Sequence, residues 1–196
     1  MKCFTTILIT LLCIVSYVKS INAQHQPNPK NDRDCGMIYG DYHSFFVCAP
    51  KGWVLDDRSG VSQGLHAVFY PSGMTWQNSP AVMYVNWAAK DKVIKDIKSL
   101  VQFNIDRFKA NGSLNIKAEF QKKIKSEKEK ECHIWKYSGD KWANHELVGY
   151  FEEDKGIVMV VMTSRNKSDF ENAQQAFLEL TKSYFFVTSK VDYPKN

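Results

Sequence analysis

Apolar and polar residues alternate along several short segments of the chain, which is the pattern of strands with one buried face. Turn signals such as Pro50-Lys51-Gly52 separate these segments; Pro50 fits the second position of a type I turn and Gly52 the fourth. The pattern predicts strands at 37–39, 45–49, 53–56, 66–70, 81–87, 116–125, 132–138, 145–152 and 157–164. The last of these contains the continuously apolar run IVMVVMT, which predicts a central strand covered on both faces.

Two further segments show the spacing of amphipathic helices. Residues 91–112 place apolar side chains on one face, with Asn104 as a single polar interruption, Asp91 as the predicted N-cap and Asn111-Gly112 as the predicted end. The second helix is predicted to start at Ser168, which has capping-box spacing to Glu171. Strands, helix, strands and helix in this order predict the α+β class, with an antiparallel β-sheet of about 6–8 strands and two amphipathic helices packed on it.

The N-terminus has the three parts of a secretory signal peptide: Lys2, the apolar run 4–18, and small residues before a cleavage point after Ala23. The alternative is an uncleaved signal anchor, but the apolar run is shorter than the roughly 20 residues of a membrane span. We expect residues 1–23 to be removed, 24–34 to form a flexible polar leader and 35–190 to form a single α+β domain. The expected location is secreted or periplasmic, with no transmembrane segment after cleavage.

Three cysteines remain after the predicted cleavage, and two of them bracket a segment with the pattern of a hairpin. With a two-residue turn at Asp41-Tyr42, Cys35 lies directly opposite Cys48, at a separation that a bridge can span. An oxidising compartment lets such a bridge persist. We therefore predict a Cys35–Cys48 disulfide that clamps the N-terminal hairpin. Cys132, in the run ECHIWKY, is predicted to be a buried small hydrophobe rather than a nucleophile.

Charge gives no sign of a nucleic-acid partner. Without the two lysines of the predicted signal peptide, 24 basic and 21 acidic residues remain, a net charge of +3. Lysines crowd at 117–130, but Glu119, Glu127 and Glu129 interleave with them, whereas a nucleic-acid surface usually carries a less diluted basic stripe. We predict a solvated strand and turn in this region.

The order of these elements resembles the PsbP-like fold family. The resemblance rests on an early strand, the turn APKGW at 49–53, hairpins, a long amphipathic helix, four further strands and a C-terminal helix. It covers about residues 45–187 and implies a PsbP-like α/β sandwich. It also implies a binding or assembly module, usually without catalysis, and it carries over no functional residue, because a fold alone is a weak guide to function.

Motifs for metal binding give little support for chemistry. The chain has no His-Glu-x-x-His pair and no Cys-x-x-Cys cluster. His133 and His145 lie on neighbouring predicted strands, so a metal pair there is the alternative to two ordinary strand histidines. Adjacent residues on a strand point to opposite faces, which argues against Cys132-His133 and His145-Glu146 as catalytic couples. We predict no catalytic residue, no metal site, no cofactor and no enzymatic activity.

Two tryptophans in predicted loops are the better clue to function. Trp76 lies in MTWQNSP and Trp142 in GDKWAN, and loop tryptophans often anchor partner surfaces. The alternative is that each folds back onto the core. We predict that both contact a protein client, and that the protein is a monomeric, non-catalytic accessory factor of chaperone or assembly type. The alternatives are a periplasmic immunity-type inhibitor, or a small hydrolase in which His133 or His145 meets Cys132 or a carboxylate in a pocket.

Overall fold

A seven-stranded antiparallel sheet dominates the computed structural model, which describes residues 34–191. The predicted signal peptide and nearly all of the predicted leader lie outside the described residues. The strands are β1 (Cys35–Gly40), β2 (His43–Cys48), β3 (Trp53–Asp56), β4 (Ala67–Pro71), β5 (Ala81–Ala89), β6 (Lys117–Lys125), β7 (Glu131–Ser138), β8 (His145–Glu152), β9 (Gly156–Ser164) and β10 (Phe185–Thr188). The helices are α1 (Ile97–Ala110) and α2 (Lys167–Lys182), with a short 3₁₀ turn at Val61–Gln63. The predicted α+β class is confirmed.

The predicted central strand is confirmed. The large sheet has the order β3-β4-β5-β9-β8-β7-β6, so β9 is its middle strand, and β1, β2 and β10 form a separate three-stranded sheet. Most of β9 is buried: Val158, Val160 and Met162 belong to the apolar cluster that includes α2, and Ile157 and Val161 to the one that includes α1. A continuously apolar strand is the expected sequence for such a position. None of the helices within residues 34–191 is long and apolar enough to span a membrane.

Helix α2 covers one face of the large sheet. Phe177 and Leu180 are fully buried against Val160 and Met162 of β9 in one apolar cluster. Burial of each such side chain contributes about 1.5–3 kcal/mol. The helix begins one residue earlier than predicted, and the predicted Ser168–Glu171 capping box is wrong. Asn166 is the N-cap, and its side chain accepts hydrogen bonds from the backbone N–H groups of residues 168 and 169.

Helix α1 packs on the opposite face and starts later than predicted. Asp96, rather than Asp91, is its N-cap, and Asp96 and Ser99 form a reciprocal capping box. Asp91 instead accepts hydrogen bonds from the backbone N–H groups of residues 93 and 94, so it closes a turn before the helix. The predicted end is confirmed, because Asn111 is the C-cap and Gly112 follows with a φ of 92°.

The stretch 46–57 joins the two sheets. Cys35 pairs with Cys48 in the predicted register, and the two form a disulfide. The backbone N–H of Cys48 donates to Ser183 Oγ at 2.8 Å, just beyond α2, which ties the joint to the C-terminal part of the chain. The turn differs from the prediction. The N–H of Trp53 donates to the carbonyl of Pro50, which makes Pro50 the first residue, and Gly52 is third with a φ of 78°.

Strand β6 is the exposed edge that carries the crowded lysines. Most of its side chains are exposed, and its pairing with β7 shifts register between Phe120 and Lys122. Lysines and a bulge on an edge strand oppose pairing with other chains. The prediction of a solvated strand and turn is confirmed.

Candidate functional site

An open cavity of about 460 Å³ lies between α1 and the sheet face on the α1 side. Strands β5, β7, β8 and β9 form its floor, α1 forms one wall, and the loops around Leu65 and Trp76 close the other side. This volume lies within the roughly 300–1,000 Å³ of small-molecule pockets. Its lining mixes apolar and polar side chains: Gln63, Leu65, Trp76, Val82, Tyr84, Asn86, Asn104, Arg107, Phe108, Asn111, Tyr137, Glu146, Val148, Tyr150, Met159, Val161 and Thr163.

Strand register places Glu146 within one row of side chains that crosses the floor of the cavity. Tyr137 of β7 lies opposite Glu146 of β8, Glu146 lies opposite Thr163 of β9, and Thr163 lies opposite Val82 of β5. Side chains directly opposite each other on one face of a sheet have Cβ atoms about 4.5–5.5 Å apart. A carboxylate is therefore set between a phenol and a hydroxyl, on a sheet face that is otherwise largely apolar.

A short chain of hydrogen bonds fixes the α1 side of the pocket. The hydroxyl groups of Tyr137 and Tyr150 lie 2.7 Å apart, and Asn104 Nδ2 donates to the Tyr150 hydroxyl at 3.4 Å. Burial raises the pKa of both tyrosines, so both hydroxyls stay protonated at neutral pH. The polar interruption in the apolar face of α1 thus has a polar partner on the sheet.

Glu146 has no hydrogen-bond or ion-pair partner within residues 34–191. Burial, with a smaller contribution from the Asp140 charge, raises the pKa of Glu146 to about 7. The neighbouring Thr163 hydroxyl is also buried without a hydrogen-bond partner. Arg107 lines the same cavity, but its guanidinium lies over the Phe103 ring at 5.8 Å and makes no ion pair with Glu146. The pocket therefore holds an uncompensated acidic group, which is a frequent feature of functional sites.

The two predicted partner-binding tryptophans lie at the same end of the large sheet. Ala81, after the Trp76 loop, and His145, after the Trp142 loop, both pair with Ser164. Trp76 is partly buried, packs edge-to-face on Tyr84 at 6.5 Å and lines the cavity. Trp142 is 46% exposed, with the Lys141 ammonium 4.5 Å from its ring centroid. Their role in partner binding stays a prediction.

The structure does not bring together the residues of the predicted alternative hydrolase or metal site. Cys132 is fully buried in the α2-side core, and burial raises the pKa of its thiol. His145 packs against Phe170 of α2, whereas His133 lies on the other face, next to Phe120 and 2.7 Å from Glu131. Within residues 34–191 no three His, Cys, Asp or Glu side chains cluster as metal ligands.

Sequence reasoning misses one motif, Gly60-Val61-Ser62-Gln63-Gly64, which has the Gly-x-Ser-x-Gly spacing of a hydrolase nucleophile elbow. In the structure this segment is a 3₁₀ turn in the connection between β3 and β4, and Ser62 is exposed. A nucleophile elbow requires a sharp turn from a strand into a long helix. The local structure therefore differs from the one that gives the motif its chemistry.

Sequence reasoning also passes over Glu146 as a pocket residue. A signal for it exists, because Glu146 shares its strand face with Val148 and Tyr150, and a charged residue at such a position is unusual. Asn104 is the matching polar interruption on α1. Only the assembled fold, however, places these two signals on facing elements of one cavity.

No protein-family model matches the sequence, and no curated protein matches it significantly. The solution structure of cyanobacterial PsbP (CyanoP) from Synechocystis is similar with a TM-score of 0.50 and 14% identity, over 79% of this chain and 92% of that one. The Ran-binding protein Mog1p of Saccharomyces cerevisiae gives 0.47 and 14%, over 80% and 96%. LpqN of Mycobacterium tuberculosis, described as involved in cell envelope biogenesis, gives 0.45 and 12%, over 81% and 93%. The similarity to CyanoP shows that the chain has the PsbP-like fold.

Proposed function

We propose that this chain, built on a PsbP-like fold, is an exported, non-catalytic binding protein that holds a protein client at one end of its large sheet. The observation that carries the proposal is the placement of Trp76 and Trp142. Both loops meet the sheet beside Ser164, one next to the cavity and the other exposed. An exposed tryptophan beside a recessed pocket is a common composition for a binding hot spot.

Export is supported by the Cys35–Cys48 disulfide. Disulfides persist in secreted and periplasmic proteins and are rare where thiols are kept reduced. The bridge closes the open end of the β1–β2 hairpin, next to the joint that leads into β3. This position suits a structural clamp, and we therefore place the protein outside the cytoplasm.

A non-catalytic role is supported by the composition of the cavity lining. Among residues 34–191, neither a cysteine nor a histidine lines it, and the one aliphatic hydroxyl in its lining, that of Thr163, is buried without a partner. Glu146 is the observation that favours the second candidate, a small hydrolase, since a carboxyl group with a pKa of about 7 suits a general base. Binding is favoured over catalysis because the described part of the chain places no cysteine, serine or histidine beside Glu146 in the cavity.

The test is a crosslinked pull-down of the tagged, exported protein from its own cells, read by mass spectrometry. We expect one dominant client protein, and we expect Trp142→Ala and Trp76→Ala each to reduce its recovery by at least about tenfold, as substitutions of hot-spot residues do. Tyr42→Ala is the control, because Tyr42 is exposed in the turn between β1 and β2, on the other sheet. A toxin as client would identify the immunity-type form of the same function.

Recovery of no client, or equal recovery by all three variants, would contradict the proposal. The hydrolase is tested separately with chromogenic ester, phosphate and glycoside substrates. A turnover that Glu146→Gln abolishes would establish that candidate in its place.

A further inference from the structure

The cavity contains a carboxylate and several aromatic rings, and no basic side chain of residues 34–191 pairs with that carboxylate. We infer that the pocket binds a protonated amine or guanidinium group, with Glu146 as its counter-ion and the rings of Trp76 and Tyr84 as its walls. This inference rests on the proposed function and adds the chemistry of what is bound. The bound cation has one of two sources: a free small amine, or a lysine or arginine side chain of the client.

Glu146 lacks a hydrogen-bond donor among the described residues. An ionised carboxylate only accepts hydrogen bonds, and the structure supplies it with no donor from residues 34–191. Burying a charge without a partner is costly, whereas a paired and hydrogen-bonded charge is tolerated. A positively charged donor entering from solvent satisfies Glu146 and removes this cost. A second carboxylate or a phosphate would increase it.

Aromatic rings make up much of the cavity lining. The rings of Trp76, Tyr84, Phe108, Tyr137 and Tyr150 all line the cavity. The faces of such rings attract cations, tryptophan most strongly, and desolvation strengthens the attraction. Apolar walls also pack against the methylene stem of a lysine or arginine side chain. The walls and the counter-ion thus select the same class of ligand.

The side chains around Glu146 are neutral or acidic, apart from one arginine. Tyr137 of β7 and Tyr84 of β5 are neutral, because burial raises the pKa of each. Asp140, in the loop between β7 and β8, adds negative charge. Arg107 of α1 is the one basic side chain that the described part of the chain contributes to the cavity lining; it is exposed, so we place it at the mouth rather than the floor. Arg107 therefore opposes cation binding without neutralising Glu146.

The experiment is a titration of the exported full-length chain, followed by Trp fluorescence and NMR. The charged probes are N-acetyl-lysine methylamide, N-acetyl-arginine methylamide and benzylammonium, and N-acetyl-norleucine methylamide is the neutral analogue of the lysine probe. We expect the neutral analogue to bind at least about tenfold more weakly than the lysine probe, as expected for loss of a charge-assisted hydrogen bond.

Substitutions in the cavity and on the edge strand test which side chains bind the probes. Glu146→Gln keeps the shape of the side chain, and we expect it to weaken the charged probes at least about tenfold. Glu119→Gln, on the exposed edge strand β6, is the matched control and should leave binding unchanged. Arg107→Gln should strengthen binding, which no loss of folding can imitate. Circular dichroism verifies that each variant is folded.

Equal binding of the lysine probe and its neutral analogue, or unchanged affinity in Glu146→Gln, would overturn the inference. Binding of acetate in preference to the amines would do the same. Tighter binding of benzylammonium than of either amino-acid probe indicates a free small amine, and competition by the lysine or arginine probe against client recovery indicates a client side chain. A client captured through Trp142 with no cation bound leaves the proposed function standing and refutes this inference. Cation binding without recovery of a client supports this inference and contradicts the proposed function.

Discussion

Glu146 lies directly opposite Thr163 in the register of β8 and β9, and neither side chain has a hydrogen-bond partner among the described residues. Two neighbouring polar groups without partners, on a sheet face largely covered by apolar residues, reduce stability relative to a pair of apolar ones. Natural proteins retain such arrangements where they serve binding or chemistry. The pair therefore connects the energetics of the fold to the proposed site, and its cost is measurable.

The Glu146 carboxyl should make the protein less stable as pH rises. Its pKa is about 7 in the folded chain and about 4.5 when unfolded, so the folded state binds more protons between these values. Stability is then lost as pH rises from about 4.5 through 7. Glu146→Gln should remove this loss and raise the free energy of unfolding at pH 8 by on the order of 1–3 kcal/mol. Urea denaturation at pH 5 and pH 8 measures it.

The control for this prediction is Glu119→Gln, whose carboxyl is exposed on the edge strand β6. It should follow the wild-type profile. A Glu146→Gln variant that is no more stable than wild type at pH 8 would show that water in the cavity already solvates the carboxylate. Such a result would also weaken the case for a cationic ligand.

His43 should have the opposite effect on the pH profile. Its ring is buried, stacks on Trp87 at 4.5 Å and has no hydrogen-bond partner at either nitrogen. Burial, with a smaller contribution from His66, lowers the pKa of His43 below 6.5 although Asp41 opposes this. The unfolded state therefore binds more protons just below pH 6.5, so the contribution of His43 to stability is complete above 6.5 and declines as pH falls.

His43→Phe keeps an aromatic ring on Trp87 and removes the titrating group, so the variant should lose less stability than wild type between pH 7 and pH 5. Because Glu146 acts in the opposite direction over part of this range, the wild-type profile alone conceals both effects. Denaturation of His43→Phe, Glu146→Gln and the double variant separates them. Identical acid sensitivity of His43→Phe and wild type would contradict the assignment.

The Cys35–Cys48 disulfide should carry a substantial share of the stability of the small sheet. The bridge closes a loop with a sequence separation of 13, and a loop of about this length is worth roughly 3 kcal/mol. The Cys35→Ser/Cys48→Ser double variant should lose about 2–4 kcal/mol of unfolding free energy. Reductant should destabilise wild type by a similar amount and leave the double variant unchanged. If reductant had no effect on wild type, the clamp would have no energetic role.

Cys132 should be unreactive in the folded protein. Its side chain is fully buried between the sheet and α2, and burial raises the pKa of the thiol, so the nucleophilic thiolate is scarce. We expect an aromatic disulfide reagent to modify it only after denaturant is added, at a rate that follows global unfolding. Fast modification in buffer alone would show that the Cys132 thiol is accessible and reactive in the folded protein.

Local patterns predict the strands of the large sheet well. The limits of β3 and β8 agree with the prediction to the residue, because turn residues flank a short, mainly apolar run in each case. The start of α1 is wrong by several residues, because Asp91 and Asp96 are both possible caps and the prediction does not use the serine three residues after Asp96, with which Asp96 forms its capping box. Strand β10 is not predicted, although its residues Phe-Phe-Val-Thr are types that strands favour; it follows closely on α2 and pairs with β2, which is distant in sequence.

The site is less accessible to sequence reasoning than the fold. The unusual placements of Asn104 and Glu146 are each visible along one element, yet the cavity needs Trp76, Arg107 and Thr163 as well, which lie on separate elements. The two tryptophans are found in loops as predicted, but their shared end of the sheet follows from pairing with Ser164. Contacts between elements far apart in sequence determine the site, and a single sequence does not display them.

Affinity for the lysine probe should rise with pH through the pKa of Glu146. The proposed counter-ion is the ionised carboxylate, so well below pH 7 each pH unit should weaken binding by up to about tenfold, and above pH 8 the dependence should vanish. Burial keeps Tyr84, Tyr137 and Tyr150 neutral over this range, so none of these cavity tyrosines produces the same profile. Titrations between pH 5.5 and 8.5 in wild type and Glu146→Gln measure it. A flat wild-type profile, or the same slope in both proteins, would exclude Glu146 as the group that holds the cation.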